Sequence, residues 1–162
     1  MQIKMEPGNI FFIPLFLPSD FKENIKSYTR YKFSKTGPYA FGRLIEMDQS
    51  SGDLIEIFKY IGDIPIAKEI IIRSGRLVDP IHISLSFSKR RWQFIFEDLE
   101  YDKYIDSNYN DIKFLLGTPE APRLWQGGNI SEIDNYDTDK YNEWVVYPPT
   151  KVENLIRRRV EM

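Results

Sequence analysis

The stretch Ile10 to Leu17 constrains the fold more than any other part of the chain. It reads IFFIPLFL, apolar throughout and entered from the turn Pro7-Gly8-Asn9. It is far shorter than the roughly 20 residues a membrane-crossing helix needs. A short run apolar on both faces reads as a buried strand. Pro14 within it marks a bulge or an edge, because proline donates nothing to a strand ladder.

Strand signals recur downstream. Gly37-Pro38 is turn punctuation before a strand over Tyr39 to Met47, and Gly42 inside that strand signals a bulge or a close backbone approach. Leu54 to Tyr60 follows the turn Asp48 to Asp53, and Ala67 to Arg73 reads as a further strand ended by Ser74-Gly75. After Pro80, Ile81, Ile83, Leu85 and Phe87 alternate with His82, Ser84, Ser86 and Ser88. That period of two is the signature of a half-buried strand. Trp92 to Phe96 and Trp144 to Tyr147 complete the set.

Between the strands, Pro18 to Thr36 is a long excursion with one helical turn expected near Phe21 to Tyr28. Gly117 to Gly128 and Asp134 to Asp139 read as loops. Pro148-Pro149-Thr150 announces a helix, with Thr150 as N-cap and Glu153 completing a capping box. Val152, Leu155, Ile156 and Val160 are spaced for one of its faces. An aromatic content of 15% favours a pleated sheet.

The expected fold is mostly β, in the α+β class: a small bent sheet or an SH3-like, partly open barrel with a C-terminal helix. It is read as a single domain over 1–162. Within it, 1–96 is a β-rich scaffold, 97–147 is acidic, aromatic and loop-rich, and 148–162 is the helix.

The chemistry of the side chains narrows function. The chain has no cysteine, which removes disulfides, thiolate metal sites and cysteine nucleophiles together. His82 is the one histidine, too few for an ordinary zinc site. No glycine-rich phosphate loop or Gly-x-Ser-x-Gly elbow is present. No catalytic, metal or cofactor set is expected. A hydrolase pairing Asp or Glu with His82 is the weaker enzymatic alternative. Without a signal-peptide pattern or an apolar span, the expected location is cytoplasmic, with no membrane contact.

Charge is unevenly placed. The net charge is -2. Residues 1–96 hold 14 basic and 10 acidic groups, whereas 97–143 hold 4 basic and 12 acidic groups. Tyr101, Tyr104, Tyr109, Trp125, Tyr136, Tyr141 and Trp144 are interleaved with those acids. One reading is a solvated face. The other is a protein interface, since Tyr and Trp supply rigid contact area and a negative field steers a basic partner. On that reading Asp98, Glu100, Tyr101, Asp102 and Asp106 are the candidate partner-binding residues. Two basic clusters allow a competing class. Lys89-Arg90-Arg91 beside Trp92 would suit a nucleic-acid module, while Arg157-Arg158-Arg159 also suits the last turn of a helix.

The segment Pro7-Gly8-Asn9-Ile10-Phe11-Phe12-Ile13-Pro14-Leu15, followed by Gly37-Pro38-Tyr39-Ala40-Phe41-Gly42-Arg43-Leu44, resembles the immunity protein 26 family of bacterial polymorphic toxin systems. Arg91-Trp92 before an apolar strand and the closing helix fit the same resemblance. Residues 97–143 lie outside it. The resemblance implies a non-enzymatic protein made beside a toxin gene, which binds that cognate toxin and neutralises it. Physically, the matched residues read as scaffold. Tyr39 and Phe41 share a strand face. Arg43 either lays its stem on the surface or is buried against a carboxylate.

Overall fold

A computed structural model describes residues 2–19, 24–48 and 50–162. It is mostly β with added helices, an α+β fold of two sheets, and among the described residues the strands close no barrel. The chain divides into two compact units, Met1–Glu100 with Val146–Met162, and Tyr101–Val145.

The first unit holds a sheet of six strands. These are β1 (Ile10–Pro14), β2 (Tyr39–Glu46), β3 (Asp53–Ile57), β4 (Ile81–Ile83), β5 (Gln93–Phe96) and β9 (Val146–Tyr147). Their order is β5-β1-β2-β3-β4-β9. Every pairing is antiparallel except β4 with β9. Helices α1 (Lys68–Arg73) and α3 (Pro149–Arg159) belong to this unit.

The sheet is covered on both faces, which explains the unbroken apolar run. On β1, Phe11 and Ile13 join Ala40, Leu44, Ile55, Ile57 and Trp92 in a core with Val152 and Ile156 of α3. Ile10 and Phe12 turn the other way, toward Tyr39, Phe41, Phe58 and Ile71 of α1. Tyr39 and Phe41 do share a face, with ring centroids 6.3 Å apart. Gly42 permits a close approach: a Cβ there would stand 2.5 Å from Cζ of Phe11 and 2.9 Å from the carbonyl oxygen of Glu56.

Pro14 marks neither an edge strand nor a bulge of its own. β1 lies inside the sheet, and its ladder with β5 ends at Phe12. Pro14 therefore falls where no partner on that side needs an N–H. The segment read as a strand over Ala67 to Arg73 is the helix α1. Glu69 in its first turn and Arg73 in its last match the helix dipole. Only Ile71 of its three isoleucines is fully buried, so packing of one face outweighs β-branched propensity.

The alternation after Pro80 breaks at Ile83. Leu85 and Arg90 adopt left-handed backbone, φ 63° and 61°, and the chain folds back so that Trp92 N donates to Ser86 O at 3.3 Å. Phe87 reaches the core through this turn, 4.6 Å from the Phe94 ring. Helix α3 begins at Pro149 with Pro148 as N-cap and no side-chain cap bond, so Thr150 and Glu153 form no capping box. The helical turn expected near Phe21 to Tyr28 falls partly outside the described residues. Tyr28 itself is buried.

The second unit contains α2 (Lys103–Asp106), a 3-10 turn at Tyr109–Asp111, and the meander β6 (Lys113–Thr118), β7 (Ala121–Gln126) and β8 (Asn129–Glu132). Gly117 to Gly128, expected as loop, is therefore mostly strand. Its glycines serve the sheet's turns: Gly127 and Gly128 take φ 55° and 89° in the two-residue connection between β7 and β8. Such positive values are the requirement of a tight hairpin.

Candidate functional site

The unit Tyr101–Val145 carries nine acidic and four basic residues. All nine acids are exposed. The same unit has an aromatic core in which Trp125 lies 5.6 Å from Tyr109, 5.7 Å from Phe114 and 5.5 Å from Trp144. The aromatics are thus divided. Tyr109, Phe114 and Trp125 are interior, while Tyr104 and Ile105 are exposed at 54% and 75%. Lys103 lies 4.0 Å over the Tyr109 ring, which places this cation among aromatics and leaves the carboxylates to set the outer field.

The five candidate residues fall in different settings. Asp102 is the N-cap of α2. Its carboxylate accepts from Tyr104 N at 2.9 Å, and its own N–H donates to Asp106 Oδ2 at 2.9 Å. Both side chains are exposed, so each has a local task and still faces solvent. The Tyr101 hydroxyl is 2.6 Å from the Ser107 hydroxyl, which is buried. Glu100 is exposed, and its N–H donates to Asp98 Oδ1 at 3.2 Å. Asp98 turns inward: its Oδ2 accepts from Arg43 Nη2 at 3.0 Å, and its side chain is 17% exposed against 2% for Arg43. Arg43 is therefore the buried arginine with a carboxylate partner. Asp98 is that partner, and its charge is largely used inside the fold.

The basic cluster Lys89-Arg90-Arg91-Trp92 is not an exposed patch. Arg91 is fully buried. Its Nε donates to Glu153 Oε2 at 2.7 Å and its Nη2 to Glu153 Oε1 at 2.6 Å, a bidentate pair. Arg91 also donates to the Tyr28 hydroxyl and to Pro18 O. Trp92 stacks on Phe11 with centroids 5.6 Å apart, and its indole N–H donates to Glu153 Oε2 at 2.9 Å. Lys89 Nζ reaches Ile25 O. Among the terminal arginines, Arg157 donates to Leu15 O. Lys89, Arg91 and Arg157 are thus spent on acceptors of the fold and are not free to gather phosphates, while Arg158 and Arg159 are exposed.

His82 is also interior, 2% exposed. Burial pushes its pKa down to about 4, partly opposed by Glu46 and Asp48. It packs inside the sheet between Leu54 and Val146 in register, away from solvent where a hydrolytic base would have to meet its substrate. The first unit also carries a cleft of about 710 Å³ with Met5, Asp53, Phe87, Arg90 and Trp92 among its lining residues. Its Ser86 and Ser88 hydroxyls donate to the carbonyls of Ser84 and Leu85, so neither is paired with a base. Among the described residues no three His, Asp or Glu side chains converge as a metal site would require, and no helix is long and apolar enough to cross a membrane.

Sequence reasoning missed the role of Glu153, which it took for a cap. The available signal was spacing: Pro149, Val152, Glu153 and Ile156 are the buried residues of α3, and a carboxylate on a buried helical stripe requires a cation inside.

The family model described as Immunity protein 26 matches residues 6–121. No curated protein and no solved structure matches the chain.

Proposed function

Because the chain belongs to the immunity protein 26 family, we propose that it neutralises one cognate toxin by binding it directly, without catalysis, from the cytoplasm of the producing cell. The contact surface is the acidic face of residues 101–145, reached with Glu100, Asp102 and Asp106 and with the aromatic edge of Tyr101. Asp98 contributes by holding Arg43 rather than by meeting the partner. The partner presents a basic surface.

The observation that carries this reading is the exposure of all nine carboxylates of one compact unit. Like charges crowded on a small surface repel one another. A basic partner relieves that repulsion and is drawn in faster by the same field.

Two experiments test it. Co-expression with the toxin domain encoded next to this gene should restore growth, and killing that is unchanged by co-expression rejects the immunity mechanism. The triple variant Glu100→Gln, Asp102→Asn, Asp106→Asn removes three charges while asparagine keeps the cap acceptors of α2. Its association rate with that toxin domain should fall about threefold to tenfold at low salt, with a shallower salt dependence. An unchanged rate would remove this placement of the surface.

A further inference from the structure

The sheet of residues 101–145 covers one of its edges, and among the described residues its other edge strand is paired on one side only. Along β6, Leu115 N donates to Asn142 O at 2.8 Å and Trp144 N donates to Leu115 O at 3.1 Å. The chain's own 142–144 segment thus closes that edge. β8 ends the order β6-β7-β8, and all four of its residues are exposed.

The register decides which backbone groups of β8 face outward. Gly127-Gly128 joins the pair Gln126 and Asn129, and Leu124 stands opposite Ser131. Ile133 N donates to Pro122 O at 3.2 Å. Ladder bonds alternate along an antiparallel strand, so Asn129, Ser131 and Ile133 turn their N–H and C=O groups toward β7. Ile130 and Glu132 turn theirs away. A strand open in this way is a template for a strand of another chain.

We propose that β8 is the docking edge for the toxin: a basic strand of the toxin pairs with Ile130 and Glu132 and extends the three-stranded sheet. This rests on the reading that the partner is a basic toxin domain, and adds how it is held. Charge selects the occupant. Glu132 lies on the strand, and Asp134, Asp137 and Asp139 follow it, all exposed. A second copy of the chain would bring its own nine carboxylates against these. A strand carrying Lys or Arg would be attracted along its length.

The test uses the full chain and the toxin domain from the neighbouring gene, inactivated by mutation. Amide exchange read residue by residue should slow at least about tenfold at Ile130 and Glu132 in the complex, because each gains a backbone partner. Asn129 and Ser131 should be protected with and without toxin. Ile130→Pro removes an outward N–H while sparing the ladder with β7, and should weaken binding at least about tenfold through faster dissociation. Ile130→Thr keeps the N–H and the β-branched shape, and should bind within about threefold of the native chain.

If the toxin binds while both amides exchange as fast as in the free chain, the edge is not the docking site and the acidic-face reading stands. Protection of both amides without toxin, rising with protein concentration, would assign the edge to a second copy and overturn the proposal. If no complex forms at all, the neutralisation reading and this one fail together.

Discussion

Replacing Glu153 with alanine should be among the most damaging single changes available to this chain. The carboxylate is 1% exposed and accepts two bonds from a fully buried guanidinium. It accepts a third from the Trp92 indole. Removing one partner of a buried ion pair costs about 3–5 kcal/mol, because the remaining charge is left desolvated. A stranded indole N–H adds about 1 kcal/mol or more. Arg91 keeps Tyr28 and Pro18 as acceptors, which offsets part of this, so the net cost should be about 3–4 kcal/mol. That is a large share of the 5–15 kcal/mol typical of a whole domain.

Urea unfolding followed by circular dichroism would measure it. Glu153→Gln, which keeps an acceptor and loses the charge, should cost roughly half as much. The paired change Arg91→Met with Glu153→Leu should cost less than the sum of its singles by about 2 kcal/mol or more, since neither member then leaves the other's charge buried. A loss below about 1 kcal/mol for Glu153→Ala, or costs that simply add, would show that this network does not hold the helix to the sheet.

Other outcomes follow from the same geometry. His82 has a folded pKa near 4 against an unfolded value near 6.5. The unfolded chain therefore binds more protons in that window. Stability from this group is full above about pH 6.5 and lost as pH falls toward 4, by about 3 kcal/mol. His82→Gln should flatten that part of a stability–pH curve. Gly42→Ala places a methyl against Phe11 and the Glu56 carbonyl and should cost about 2 kcal/mol by overpacking, read as a lower Tm. Asp98→Ala takes away the carboxylate that Arg43 meets at 3.0 Å. It should cost about 2 kcal/mol of stability while changing the toxin association rate less than Asp102→Asn does, a contrast that stopped-flow binding would expose.

Much of the scaffold was legible in the residues alone. The IFFIP run could only be a strand covered on both faces, because each of its residues carries a large apolar side chain and successive side chains point oppositely. Tyr39–Glu46 and Asp53–Ile57 were equally readable, as was a C-terminal helix with Val152 and Ile156 inward. Residues whose own periodicity states which way they face need no further information.

The tertiary structure decided the rest, for reasons that local pattern does not contain. Lys68–Arg73 is a helix whose one buried isoleucine, Ile71, packs with Ile10, Phe12, Tyr39 and Phe41 of β1 and β2. The alternation from Ile81 stopped at Ile83, where the chain turns and brings Phe87 against Phe11 and Phe94. Above all, charged side chains do not announce their partners. Arg91 and Glu153 are 62 residues apart, and Arg43 and Asp98 are 55 apart. The residues alone left Arg43 open between surface and interior, took Glu153 for a cap and Asp98 for a partner-binding residue, and paired none of the four with another. Packing brought them together, and a buried charge is stable only where its counter-charge has been delivered by the fold. The sequence by itself determined a two-faced β scaffold and an acidic, aromatic segment. Only the folded chain decided which charges are spent holding it together, which remain exposed, and that β8 ends its sheet.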